Sequence, residues 1–149
     1  MNKLLLIIFI NFAYYISFSQ TTPKVDSVVV YPDTSKGEDD PRVFTKAEKS
    51  PEFPNGINAW KDFLIKNLDG NTAAKYGAAV GTYQVIIRFI IGKDGSLRDF
   101  NAETNFGFGM EQEVIRVLKL SPKWIPAMQN GYKVNFYLQL PITFVVTAK

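Results

Sequence analysis

The sequence predicts an α+β domain: a small antiparallel sheet with two helices packed on one face, in the order β-α-β-β-α-β. Three observations predict it. Val134, Phe136, Leu138, Leu140, Ile142, Phe144 and Val146 share one parity, with Asn135, Tyr137, Gln139, Pro141 and Thr143 on the other, so a strand buries one face and leaves the other polar. Two segments carry apolar stripes at helical spacing, Ile57/Trp60/Leu64/Leu68 and Met110/Val114/Val117/Leu118. Between them, Gly92-Lys93-Asp94-Gly95 joins two alternating runs, and Asp-Gly supplies the positive φ that a hairpin turn requires.

Each element follows in turn. A first short strand is expected over residues 43–48, closed by Ser50-Pro51 and Phe53-Pro54. The first helix ends at Asn67, Gly70 and Asn71, and residues 71–81 read as a loop of small residues. Tyr83, Val85, Ile87, Phe89 and Ile91 mark the next strand. The return strand carries Phe100, Ala102 and Thr104, whereas Leu97 falls on the wrong parity and belongs to the turn or to a bulge. The second helix has Glu111 and Glu113 near its positive end and Lys119 near its negative end, and Ser121-Pro122 stops it. Pro141 cannot donate to a ladder, which confines the last strand to an edge or a bulge.

Upstream of residue 43 the composition changes. Lys3 followed by an apolar run over residues 4–18 and the small residues Ser17 and Ser19 reads as a signal peptide of residues 1–19, with a short uncleaved anchor as the alternative. The apolar run is shorter than the roughly 20 residues of a membrane span. Residues 20–42, rich in Thr, Ser, Pro, Asp, Lys and Gly, read as a flexible linker, interrupted by Val28-Val29-Val30-Tyr31 and Pro32. The domain is assigned to residues 43–149. The expected location is the periplasm, or the inner membrane facing the periplasm if the segment is retained.

The composition excludes several chemistries. The chain has no cysteine and no histidine, so disulfides, thiol chemistry, the usual zinc sites and histidine acid/base catalysis are absent. A net charge of +3 with scattered lysines gives no nucleic-acid groove. Asp39-Asp40 lies in the linker, Asp94 serves the turn and Glu111/Glu113 the helix dipole, leaving no catalytic carboxylate pair. The glycines at 92, 95, 107 and 109 lack the strand and helix context of a phosphate cradle. The reading is therefore no enzyme, no cofactor and no metal. Aromatics on buried parities, with Trp60 and Trp124, are assigned to the core.

The residues also carry a family pattern. Ser121-Pro122-Lys123-Trp124-Ile125-Pro126-Ala127, then Gln129-Asn130-Gly131, Val134 and Gln139-Leu140-Pro141-Ile142-Thr143-Phe144 resemble the end of the C-terminal domain of TonB-type energy transducers. Gly81-Thr82-Tyr83, Lys93-Asp94-Gly95-Ser96, Gly107-Phe108-Gly109-Met110-Glu111 and, before them, Pro51-Glu52-Phe53-Pro54 with Trp60 agree with one branch of that family. The resemblance implies a periplasmic domain that grips a peptide of outer-membrane TonB-dependent receptors by strand addition (β-augmentation), in energy-dependent transport. It places the contacts on the last strand: Val134, Asn135, Phe136, Tyr137, Leu138, Gln139 and Leu140. An inner-membrane proton-driven motor is a further partner if the N-terminus is anchored. The alternative is a stand-alone envelope interaction or structural module, including a strand-exchanged homodimer, without a transport role.

Overall fold

The computed structural model describes residues 42–148. The signal-peptide and linker expectations, with Val28 to Tyr31, lie outside the described residues apart from Arg42. Eight elements follow one another: β1 (Val43–Phe44), α1 (Gly56–Asn67), α2 (Thr72–Lys75), β2 (Gly81–Ile91), β3 (Leu97–Ala102), α3 (Met110–Lys119), β4 (Ala127–Gln129) and β5 (Tyr132–Val146). The sheet runs β1-β5-β2-β3, with β4 also pairing β5. The α+β class and its two covering helices stand as expected. The order gains α2 and β4, and β1 joins β5 in parallel within an otherwise antiparallel sheet.

The frame is the pairing of β2 with β5, unbroken from Gly81↔Val146 to Ile91↔Phe136. Val85, Ile87, Phe89 and Ile91 face Leu140, Ile142, Phe144 and Val146 in one buried layer. Onto that layer α1 brings Trp60 and Leu64, and α3 brings Met110, Val114, Val117 and Leu118, all buried. Ile57 departs from its expected stripe: it sits in the first turn of the helix and is 46% exposed.

Aromatic rings close the end of the core. Phe53 lies 5.1 Å from Trp60 and 5.6 Å, edge-on, from Trp124, while Trp60 and Trp124 are 5.2 Å apart. Each such contact adds about 0.5–1.5 kcal/mol beyond the burial of its area. The Trp124 indole N–H donates to Ser121 Oγ at 2.8 Å, so its polar group is satisfied inside the cluster.

The departures from expectation have local causes. Residues 71–81 are not wholly a loop: Ala73 is fully buried, and Lys75 and Tyr76 N–H donate to Asn71 and Thr72 C=O at 2.8 and 3.1 Å. Burial of Thr72 and Ala73 and one turn of hydrogen bonds make α2. The first strand shrinks to two residues because the chain leaves β5 and instead bridges Lys49 to Met128. β4 exists because Asn130 (φ 51°) and Gly131 (φ 79°) both take the left-handed region, as a two-residue hairpin loop needs. The pairing of β2 and β3 shifts between Arg88 and Ile90, where Asp99 takes φ 56°. That bulge is what puts Leu97 out of parity with Phe100.

Candidate functional site

Hydrogen bonds on β2 fix the direction of every backbone group on β5. Ile86 N–H donates to Thr104 Oγ1 at 3.1 Å, and Ile86 C=O accepts from Glu103 N–H at 2.9 Å, so both groups point toward β3. Its partner across β5 is Pro141. A residue whose groups turn away from its antiparallel neighbour sits in a non-hydrogen-bonded pair, and so does the residue opposite. Pro141 therefore presents its nitrogen and carbonyl to the outer flank of β5, and its missing N–H removes nothing from the β2–β5 ladder. By the period of two, Gln139, Thr143 and Val145 also direct their N–H and C=O outward.

Along that flank β1 pairs only Asn135 and Phe136. Among the described residues no strand pairs with the outer flank beyond Phe136. What remains is an open ladder from Gln139 to Val145, with N–H donors at 139, 143 and 145 and carbonyl acceptors at 139, 141, 143 and 145. Antiparallel or parallel addition of a strand there satisfies groups that otherwise face solvent.

The seven residues expected to contact a partner divide between two environments. Val134 pairs Ala127 of β4 and is buried in a second small cluster with Ala127 and Phe136. Asn135 is tied internally: its side-chain amide donates to Arg42 C=O at 3.4 Å and its Oδ1 accepts from Lys93 N–H at 3.3 Å. The flank at 135–136 is thus occupied by the protein's own β1. Tyr137 lies with its ring 5.4 Å from the Arg88 guanidinium, and Gln139 donates to Glu103 Oε2 at 2.7 Å. Leu140 points into the core, and Leu138 is half-buried between the two clusters.

Pro141, Thr143 and Val145, which that set left out, complete the open flank. Their signal was present in the alternation itself, since they share the outward parity of Tyr137 and Gln139. Glu103 also bonds ionically to Arg88 Nε at 3.6 Å, so the helix-free face beside the flank is a neutral polar surface of Arg88, Glu103, Gln139 and Tyr137.

The carboxylates have structural employment. Glu111, buried, accepts from Phe106 and Gly107 N–H at 2.8 and 3.2 Å and so holds the loop that enters α3. Glu113 accepts from Asp69 N–H and pairs with Arg116, whose guanidinium holds its carboxyl below the usual range. Among the described residues no cluster of His, Cys, Asp and Glu could hold a metal ion.

Fold and flank together define a small α+β domain whose longest strand is paired along one side by β2 and, among the described residues, left unpaired beyond Phe136 on the other. Residues 74–146 match the family described as Gram-negative bacterial TonB protein C-terminal, and the match supports the TonB C-terminal domain family for that segment. No curated protein and no solved structure matches the chain. The family is a transport-related, non-enzymatic one and suggests a periplasmic domain that interacts with outer-membrane receptors. Among the described residues no helix is long and apolar enough to cross a membrane.

Proposed function

We propose that this domain binds an extended peptide of an outer-membrane TonB-dependent receptor as an added strand along the outer flank of β5, in the periplasm. The observation that carries this reading is the outward ladder from Gln139 to Val145, left unpaired among the described residues while the other side of β5 pairs with β2 from Gly81 to Ile91. Main-chain bonds supply affinity at about 0.5–1.5 kcal/mol each, and alternate side chains of the peptide supply selectivity against Leu138 on one face and the Arg88–Glu103–Gln139 surface on the other. Pro141 leaves one gap in the donors, which sets the register in which a peptide loses least. The site shifts accordingly from residues 134–140 to residues 137–145.

A synthetic peptide from the periplasmic N-terminus of such a receptor, titrated into labelled protein, tests the proposal. Amide shifts concentrated at residues 137–145 support it. Shifts confined to α2 and α3, with that strand silent, rule out addition at this edge.

A further inference from the structure

β1 and the open ladder lie on one track along β5. β1 runs parallel to β5, with Val43 beside Asn135 and Phe44 beside Phe136, so a chain continuing straight would next lie beside Tyr137 and then along the ladder. The chain leaves instead. Lys49 and Met128 exchange N–H···O=C bonds of 3.1 and 3.0 Å, and Glu52 and Ile125 exchange another pair of 3.0 and 2.8 Å. The Glu48 carboxylate accepts from Asn130 N–H at 3.1 Å and from the Gln129 side-chain amide at 3.3 Å. At the other end the Asn135 side-chain amide donates to Arg42 C=O. β1 is thus tied before and after and cannot slide along the track. Among the described residues, that track is filled up to Phe44 and open beyond it.

A strand added to a ladder without an end marker can slip by two residues and keep each side chain on its own face. Pro141 marks a register only through one absent donor. β1 marks it sterically, because a strand that slips toward Asn135 runs into Phe44. Asn135 shares the outward parity of Gln139, so Phe44, next to its partner Val43, turns its N–H and C=O toward β5. Directly paired residues share a face, which puts the Phe44 ring on the helix side with Phe136. Phe44 and Leu138, both half-buried, pack on the cluster of Ala127, Val134 and Phe136. The next helix-side place on the track lies across from Leu138 and one two-residue step, about 6.6 Å, beyond Phe44. A side chain set there meets Leu138 across the ladder and the Phe44 ring along it.

We propose that β1 is a built-in stop that fixes the register of the added peptide, and that Phe44 and Leu138 select a peptide with an apolar side chain at its β1-facing end. The inference rests on the strand addition proposed above. A leucine at that place gains burial, whereas a carboxylate gives up water to two apolar neighbours.

The test uses the full chain and the synthetic receptor peptide carrying a nitroxide at one end, so that line broadening reports where that end lies on β5. Broadening confined to one end of residues 137–145 supports the stop. Broadening spread along the whole strand in the native chain, which means several registers, overturns it. Phe44→Pro removes an N–H that β1 directs at β5. Unchanged exchange of the Leu140 and Ile142 amides shows that the β2–β5 ladder survives the change. In that variant the peptide shifts should extend to Asn135 and the broadening should spread over at least two registers; an intact variant that keeps the native register overturns the stop. If Phe44→Pro does not fold, the register of the native chain decides. For selection, a peptide with aspartate in place of leucine beside Leu138 should bind about tenfold more weakly to the native chain. That difference should shrink to about threefold or less in Phe44→Ala and in Leu138→Ala, with the register kept. Equal binding of the two peptides by the native chain overturns the selection. Strand residues that stay silent to the peptide remove strand addition and this inference with it, whereas strand shifts in several registers remove the stop alone.

Discussion

Gly95 shows how one residue can serve two constraints at once. It takes φ 80° in the hairpin between β2 and β3, and a Cβ built there would lie 2.0 Å from Trp124 C=O. Its own carbonyl accepts from Trp124 N–H at 2.8 Å, which pins the aromatic end of the core to the turn. Gly95→Ala is expected to cost about 3 kcal/mol or more in denaturant unfolding. Gly77, at φ 86° with open space around it, should cost only about 1 kcal/mol on the same change. Beside Gly95, Asp94 Oδ1 accepts from Ser96 Oγ at 2.6 Å and Ser96 N–H at 3.0 Å. These bonds, with the Lys123 ammonium, lower its pKa from 3.8 to about 2. The ionised form is the one the turn holds, so its contribution is present above pH 3.8 and lost as pH falls through about 2. Carboxyl titration by NMR should show that midpoint, and Ser96→Ala should move it back toward the ordinary value.

β5 is the element on which the function turns, and its two parities predict opposite responses to proline. Gln139→Pro removes an outward donor, as Pro141 already does, so thermal unfolding should change by about 1 kcal/mol while receptor-peptide binding weakens several-fold. Leu140→Pro removes an inward donor of the β2–β5 ladder together with a buried side chain and should cost at least about 4 kcal/mol. Equal loss of stability in the two variants would show that Gln139 N–H faces β2 instead. The inward/outward division was legible in the alternation of residues 134–146. The occupancy of the flank at 135–136 was not, because pairing with Val43 and Phe44 joins positions some 90 residues apart and leaves no periodic trace.

Across the whole molecule, the core does not stop where the family match begins. Phe53, Trp60, Leu64 and Leu68 precede residue 74 yet pack in one cluster with Phe89, Trp124 and Phe144. A fragment of residues 74–149 would expose that layer, since the helix that covers it is missing. Circular dichroism and denaturant titration should find a cooperative transition for residues 42–149 and none for residues 74–149. A cooperative shorter fragment would mean that α1 is an accessory to the core. At the same scale, the N-terminal segment predicts an exported chain that begins near Gln20. N-terminal sequencing of envelope protein decides this, and recovery of intact Met1 in the membrane fraction points to an anchored form.

What the sequence by itself determined is whatever depends on neighbours along the chain. Periods of two and of about 3.6 marked the long strands and both large helices. Asp-Gly marked the hairpin, and the misplaced Leu97 marked the bulge that Asp99 forms. Pro141 announced an open flank because a missing N–H is tolerable only where no partner needs it. What only the tertiary structure decided is what those elements meet. Ala73 became helical by finding a buried position, β1 turned parallel by meeting β5, and Asn135 was consumed by Arg42 and Lys93. Each of these rests on contacts between distant parts of the chain, whose energy is set by burial and by which backbone groups remain unpaired after β2 and β5 have joined.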